Sequence, residues 1–166
     1  MSENKFHVQG IARRVSLDKL YDFYTDYSPE DVEIMRKHGQ RMALERVSKR
    51  EGNHVVVDTT AKIMGRTKNM RYDIILHPED HWYEMQLSVD GLFRSHRTYK
   101  FKSVEVGTKI LIDDEYEPTS FLARMMNAMG MLKKRLVRDT INTMNAFVAE
   151  ADERFGGKTA GGPQVI

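Results

Sequence analysis

Lys133 most clearly invites a chemical interpretation, because a helical spacing places this charged residue in the middle of an apolar face. Its neighbours on that face are Met126, Met129 and Leu136. A buried ammonium group without a partner costs several kcal/mol. Either Lys133 enters a cavity and meets a ligand oxygen or a sheet carboxylate, or Gly130 bends the helix and turns Lys133 outward.

Methionines crowd the first half of the same predicted helix, at Met125, Met126, Met129 and Met131. Because methionine side chains adapt their shape, such a cluster would form a pliable wall or lid over an apolar ligand. Ordinary packing by flexible side chains explains the same cluster. Both interpretations stay open at this stage.

Polar side chains alternate along three predicted strands, where they would act as acids, bases or carbonyl ligands if they faced a cavity. A buried Arg97 or His96 beside an acid of a neighbouring strand would polarise a carbonyl or transfer a proton. The alternation alone does not say which side chains face inward, and solvent exposure explains each of them as simply. The candidates on these strands are Asp73, Trp82, Glu84, His96, Arg97 and Tyr99.

A metal site is considered where residues 77–81 place two histidines around proline and two acids. Proline and acids between strands are also typical of a solvated turn, and this spacing is not one that a helix holds. The chain contains no cysteine, which excludes disulfides, thiolate zinc sites and a cysteine nucleophile. We therefore predict neither a metal nor a cofactor.

These candidate residues need a long helix and a sheet to position them. Residues 119–155 contain no proline and repeat apolar positions every three or four residues, which predicts one long amphipathic helix. Its apolar face must pack on an extended surface elsewhere in the chain. No window of about 18 residues in it is free of charge, so the pattern does not indicate a membrane span.

Two short helices are predicted between the first strand and the rest of the sheet. Residues 5–15 alternate as a strand, and Ser16 follows as the cap of the first short helix. Ser28 is the predicted cap of the second, with Pro29 at its first position, Asp31 in its first turn and an end near Gly39.

Six further segments of strand length lie between residues 40 and 118, separated by turn residues. Their short links predict an antiparallel meander, which becomes seven-stranded with the first strand. The predicted fold class is therefore α+β. The segments are residues 41–49, 54–64, 70–77, 81–89, 93–104 and 108–117.

The order of one strand, two short helices, six antiparallel strands and a long C-terminal helix resembles the helix-grip fold. It is the arrangement of the START-related superfamily, which includes polyketide cyclases and dehydrases, ubiquinone-binding START proteins and relatives of the birch pollen allergen. The resemblance covers residues 5–155 and rests on this order, on residues 6–8 leading into residues 16–23, and on the terminal amphipathic helix. It implies a curved sheet that grips the long helix, with a ligand cavity between them.

One feature departs from the pollen-allergen branch of that superfamily. That branch has a glycine-rich loop between its second and third strands, whereas the link here is only residues 50–53. Phosphate binding at this loop is therefore not implied. Steroid, quinone and fatty-acyl ligands all remain open.

The composition, with 40% hydrophobic and 30% charged residues, is typical of one globular domain. We predict a single domain over residues 1–155 and a flexible tail over the glycine-rich residues 156–166. Residues 157–159 do not form a phosphate-binding loop, since Asp152 stands where its first glycine would be. The first residues lack the apolar run of a signal peptide, which favours a cytoplasmic protein.

The charge distribution does not indicate a nucleic-acid partner. The net charge is only +2, and the basic clusters near residues 62–71 and 133–138 lack interleaved aromatic residues. Such clusters allow transient contact with an anionic membrane surface, although a solvated helix face explains them as well. A monomer and a homodimer both remain open.

We predict that the protein binds or transports a hydrophobic or amphipathic small molecule, such as a lipid, a quinone or a polyketide-like compound, in an internal cavity. A cyclase- or dehydrase-type enzyme is the first alternative, and it needs two titratable groups in one pocket. A co-chaperone or assembly module is the second, and it needs an exposed apolar patch. The predicted ligand contacts are Lys133, Met125, Met126, Met129, Arg97, His96, Tyr99, Asp73 and Trp82.

Overall fold

The computed structural model describes residues 4–39, 43–63, 65–156 and 164–165. Its strands are β1 (Lys5–Arg13), β2 (Ala43–Glu51), β3 (His54–Ile63), β4 (Arg66–His77), β5 (Trp82–Val89), β6 (Phe93–Val104), β7 (Gly107–Pro118) and β8 (Gln164–Val165). They form one antiparallel sheet in the order β2-β3-β4-β5-β6-β7-β1-β8. The predicted meander of seven strands is confirmed, because every hairpin joins strands that are neighbours in sequence.

The eighth strand is not predicted by the sequence pattern. Its two residues pair with Gly10 and Ile11 at the edge of the sheet. The rest of the predicted tail, residues 157–163 and 166, lies outside the described residues.

The helices are α1 (Leu17–Thr25), α2 (Asp31–Lys37), α3 (Phe121–Ala128) and α4 (Met131–Phe155). Two short helices follow β1 as predicted, but α2 begins at Asp31 and not at Pro29. The reason is that the Ser28 hydroxyl accepts a hydrogen bond from the amide of Glu30 at 3.2 Å in a turn that precedes the helix. None of the helices in the described part of the chain is both long and apolar enough to cross a membrane.

The prediction of one continuous helix over residues 119–155 is wrong, because the helix is interrupted at Gly130. This residue has a φ of +72°, in the left-handed region that ends helices and that glycine adopts without a Cβ penalty. The hydroxyl of Ser120 caps α3 by accepting a hydrogen bond from the amide of Ala123 at 3.1 Å. The apolar faces of α3 and α4 therefore do not have to point in the same direction.

Among the described residues, the strand boundary that differs most from the prediction is the start of β4. β4 begins at Arg66, which pairs with Ile63, and not at residue 70. Gly65, with a φ of +75°, completes the tight turn, so that residues 66–69 are free to continue the ladder. The predicted residues 40–42 and 64 lie outside the described part of the chain.

The core lies between α4 and the inner face of the sheet. Alternate residues of the strands point inward, and a fully buried aliphatic side chain contributes about 1.5 to 3 kcal/mol relative to an exposed one. The helix buries a stripe along its length, as an amphipathic sequence requires. The members of this stripe are Leu132, Leu136, Thr140, Met144, Phe147 and Ala151.

An ion-pair cluster ties α2 to the C-terminal half of α4. The buried carboxylate of Glu150 accepts hydrogen bonds from Lys37 Nζ at 2.8 Å and Arg154 Nε at 3.0 Å, and His38 Nε2 lies 3.0 Å away. Burial raises the pKa of Glu150, but these three hydrogen bonds outweigh it and lower the pKa to about 2. The carboxylate is therefore ionised throughout the physiological range.

Substitutions of Gly130 test the helix break by the sign of their effect on the free energy of unfolding. Gly130→Ala is expected to lower the free energy of unfolding by about 1 kcal/mol, because alanine is strained in the left-handed region. In a continuous helix the same change would raise it by about 1 kcal/mol. Gly130→Asn is the control, since asparagine tolerates this conformation and should cost less. Urea unfolding of the three proteins measures the difference, and a stabilised alanine variant would contradict the break.

The Glu150 cluster predicts a defined pH dependence of stability. Because the folded pKa of Glu150 lies below its usual 4.5, its contribution is complete above that value and is lost as the pH falls to about 2. Glu150→Gln should lower the free energy of unfolding at pH 7 by about 1 to 3 kcal/mol. Its difference from the wild type should shrink between pH 5 and pH 2.

The control for this experiment is Glu153→Gln, because Glu153 also contacts Lys37 but its side chain is 54% exposed. An exposed ion pair contributes about 0 to 1 kcal/mol, so this variant should change stability little. Unfolding curves of the wild type and Glu150→Gln that stay parallel from pH 7 to pH 2 would refute the assignment.

Candidate functional site

A cavity of about 170 Å³ lies between the inner face of β3 to β6 and the helices. All four helices contribute to its wall, and α4 contributes the longest stretch. Most of the lining is apolar, so the cavity favours apolar ligand surface. Its aliphatic and methionine lining consists of Met35, Ala61, Ile63, Met70, Met85, Leu87, Val89, Leu92, Met126, Leu132 and Leu136.

Aromatic rings form much of the remaining wall. The rings of Tyr83 and Tyr99 stack with their centroids 4.5 Å apart, and Tyr24 lies 5.3 Å from Phe147. Burial raises the pKa of Tyr24 and of Tyr83 well above its usual value, so both stay neutral hydroxyl groups. Five of the seven tyrosines line the cavity together with two phenylalanines, namely Tyr24, Tyr27, Tyr72, Tyr83, Tyr99, Phe93 and Phe147.

A buried ion pair provides the strongest polar feature of this wall. Arg97 on β6 is paired in register with Asp114 on β7, and Arg97 Nε donates a hydrogen bond to Asp114 Oδ2 at 2.5 Å. Arg97 Nη1 also donates to the Tyr99 hydroxyl at 3.3 Å. Burial lowers the pKa of Arg97, but Tyr99 and Asp114 raise it by more. The cavity therefore contains a fixed guanidinium cation.

A second charged group lies on α4. Arg135 and Asp139, one helical turn apart, both line the cavity, and Arg135 Nε is 3.6 Å from Asp139 Oδ2. Burial raises the pKa of Asp139 more than Arg135 and Arg138 lower it. Asp31, the first residue of α2, is also buried against the cavity. These groups give one side of an otherwise apolar space a polar edge.

Three of the nine predicted contact residues line the cavity: Arg97, Tyr99 and Met126. They come together because β6 turns its odd-numbered residues inward from Phe93 to Phe101, and because α3 turns Met126 toward the sheet. Their contact with a ligand stays a prediction.

Three predicted residues lie on the outer face of the sheet. His96 precedes the inward Arg97 and is exposed, Trp82 stacks on His77 at 3.8 Å, and Asp73 lies 2.7 Å from His54 Nε2. The alternation turns the even-numbered residues of β4 and the odd-numbered residues of β5 inward, so Asp73 and Trp82 are in the opposite, outward phase. These side chains are therefore separated from the cavity by the sheet.

The remaining three residues belong to the region of the helix break. Met125 and Met129 are exposed, and Lys133 is half-buried but is not among the residues that line the cavity. The break at Gly130 agrees with the alternative in which a local change in the helix turns Lys133 away from the cavity.

Sequence reasoning missed Asp114, although a signal was present. The alternation of β7 puts Asp114 in phase with the inward Ile110, Ile112 and Tyr116. A charged residue in such a series is the same kind of anomaly that singles out Lys133. For Arg135 and Asp139 there was no such signal, because their position in the cavity wall depends on how α4 is oriented over the sheet.

One group of side chains has ligand atoms close enough for a metal ion among the described residues. It consists of His38, Glu150 and Glu153, whose ligand atoms lie within 4.8 Å of one another. The Lys37 ammonium group contacts both glutamates, and Arg154 contacts Glu150. Cationic side chains already neutralise these carboxylates, so the arrangement fits an ion-pair network better than a metal site.

Comparison by sequence gives no relative: no family model matches the chain, and no curated protein matches it. Solved structures do match. A protein of Thermus thermophilus has a TM-score of 0.72 and 14% identity, over 90% of this chain and 98% of its own. An aromatase/cyclase of a Streptomyces species has a TM-score of 0.73 and 15% identity, over 95% and 99%.

A START superfamily protein of Mycobacterium smegmatis also matches, with a TM-score of 0.65 and 11% identity over 90% of this chain and 97% of its own. The matched regions cover nearly all of each protein, so the likeness includes the sheet and the C-terminal helix together. At identities this low a structural match establishes the fold alone. The chain therefore has the helix-grip fold, which it shares with the aromatase/cyclase and the START superfamily protein.

Proposed function

We propose that the protein binds a small, flat, apolar molecule that carries an oxygen acceptor, in the cavity between the sheet and α4. The observation that carries this proposal is the buried guanidinium of Arg97 in a wall that is mostly apolar and aromatic. A polar group that orients a ligand within a mostly apolar pocket is typical of small-molecule sites.

The volume of the cavity limits the size of the ligand. At about 170 Å³, it is close to an engineered apolar cavity of about 150 Å³ that holds benzene. A ring-sized quinone or polyketide-like molecule suits this volume better than an intact lipid with two acyl chains. The aromatic lining favours a flat ring, because offset or edge-on aromatic pairs contribute about 0.5 to 1.5 kcal/mol beyond area burial.

Arg97 is suited to bind a carbonyl, phenolate or carboxylate oxygen. The guanidinium has five N–H donors, more than Asp114 and Tyr99 accept in this structure. Its position is fixed by the β6–β7 register, so its donors keep their direction without a ligand. Burial of apolar ligand surface, at about 25 cal/mol per Å² before association costs, would supply most of the affinity.

A cyclase- or dehydrase-type reaction is a second candidate, and one observation favours it. Arg97 and Tyr99 lie side by side in the same cavity, where a cation would stabilise an enolate oxygen and a hydroxyl would move a proton. The matched Streptomyces protein is an aromatase/cyclase. Turnover of a linear poly-β-ketone with loss of water would distinguish this reaction from binding alone.

Binding can be tested with 1,4-naphthoquinone and naphthalene, two ring systems of similar size that differ in their oxygens. We expect the wild type to bind both, with the quinone at least about tenfold tighter, because Arg97 donates to its carbonyl oxygens. Isothermal titration calorimetry and native mass spectrometry measure affinity and stoichiometry. Failure of both compounds to bind would refute the cavity proposal.

A double variant and a control variant separate the contribution of Arg97 to quinone affinity from that of general packing. Arg97→Met combined with Asp114→Leu removes the whole ion pair, since a single change would leave a buried charge at a cost of about 3 to 5 kcal/mol. This double variant should lose the preference for the quinone and keep the affinity for naphthalene. Arg94→Met, on the same strand but exposed, is the control and should change neither. An equal loss in the control would contradict the assignment.

A further inference from the structure

Exposed apolar side chains are concentrated on α3 and on the residues that join it to α4. Phe121 is 84% exposed, and Leu122, Met125, Met129 and Met131 are each about half exposed. Among the described residues, these five are the majority of the eight exposed large hydrophobic side chains. We call them the α3 apolar strip. Exposed apolar side chains that are concentrated in this way indicate an interaction surface.

The two sides of α3 have different partners. Ala123 and Met126 are buried, and Asn127 hydrogen-bonds at 2.8 Å to both Tyr116 and Asn4. A spacing of 100° per residue places Phe121, Leu122 and Met125 on another side of the helix. The packing of α3 onto the protein therefore leaves this strip uncovered.

All charged side chains between residues 118 and 138 are basic. Residues 118–138 contain no aspartate or glutamate, although the whole chain has 24 acidic residues. Arg124 lies beside the strip on α3, and Lys134 follows in the first turn of α4, and both are exposed. The nearest acid after the segment, Asp139, pairs with Arg135 and Arg138. The charged side chains of α3 and of the first turn of α4 are therefore all cationic, whereas the exposed Glu117 near the end of β7 precedes α3.

The exposed side chains of α3 are either apolar or cationic: Phe121, Leu122, Arg124, Met125 and Ala128. The polar Asn127, which could provide directional hydrogen bonds to a protein partner, is turned inward. Apolar side chains flanked by arginine and lysine match the boundary between acyl chains and anionic headgroups. This complementarity favours a lipid surface over a protein partner.

We propose that α3 and the first turn of α4 dock on the surface of an anionic lipid bilayer. The α3 apolar strip enters the boundary between headgroups and acyl chains, while Arg124 and Lys134 contact lipid phosphates. Met126, on the other side of α3, lines the cavity, so docking places one wall of the cavity next to the lipid. Docking of the strip does not depend on what the cavity binds.

Cosedimentation of the full chain with vesicles tests this docking. We expect binding to vesicles of phosphatidylcholine and phosphatidylserine, weak binding to phosphatidylcholine alone, and loss of binding at high salt, where headgroup attraction is screened. Arg124→Glu with Lys134→Glu should weaken binding at least about tenfold. Lys100→Glu with Lys102→Glu changes the net charge equally at exposed positions of β6, and should leave most of the binding intact.

The apolar contribution has a separate test. Phe121→Ser with Met125→Ser should abolish binding without unfolding the protein, because both side chains are exposed. Because the chain has no cysteine, Met129→Cys can carry a single polarity-sensitive fluorescent label. Its emission should shift to the blue on anionic vesicles. The same label on Val106→Cys, which is similarly exposed, should not respond.

Several results would overturn the docking proposal. They are absence of vesicle binding, equal binding to neutral and anionic vesicles, equal loss in the Lys100 and Lys102 control, or an equal response of the two labels. If the protein self-associates and Phe121→Ser disrupts that association while no vesicle binding occurs, the strip is an interface between copies of the chain. The quinone titration is a separate measurement, so either proposal can fail alone.

Discussion

The buried ion pair of Arg97 and Asp114 is the constraint on which the candidate site depends. Taking two charges out of water costs several kcal/mol for each ion, and good geometry between them offsets this cost. The β6–β7 register supplies that geometry, because it places the two residues directly opposite each other. Tyr99 accepts a further hydrogen bond from the guanidinium and stacks on Tyr83. The sheet thus holds a cation against a mostly apolar space that α4 borders.

The break at Gly130 has a second structural consequence. A continuous helix would carry one apolar stripe, which would face the sheet along one part and the solvent along another. With two helices, α4 buries its apolar stripe over the sheet, while α3 buries only Ala123 and Met126. The rest of the apolar surface of α3 is left for an external partner. Met126 in the cavity wall and the exposed apolar side chains of α3 therefore lie on different sides of one short helix.

Much of the fold could be predicted from the chain alone, because it follows from local rules. Alternating apolar residues and short turns predicted the meander, and amphipathic spacing predicted the C-terminal helical region. The two largest errors in the bounds of the elements occurred where one glycine decides the backbone. Gly65 shortened a turn that was predicted to be longer, and Gly130 ended a helix that periodicity continues. A glycine permits a left-handed conformation but does not require it, so its effect depends on the surrounding packing.

The sequence by itself determined that this chain forms an antiparallel sheet covered by an amphipathic helix, because periods of two and of 3.6 residues fix which positions share a face. It also marked Arg97 and Tyr99 as members of one face of β6. It did not determine whether that face points inward, since both phases of a strand satisfy the same alternation. Only the tertiary structure decided this, by placing α4 over one side of the sheet. That choice buried Arg97 with Asp114 and left His96, Asp73 and Trp82 on the other side.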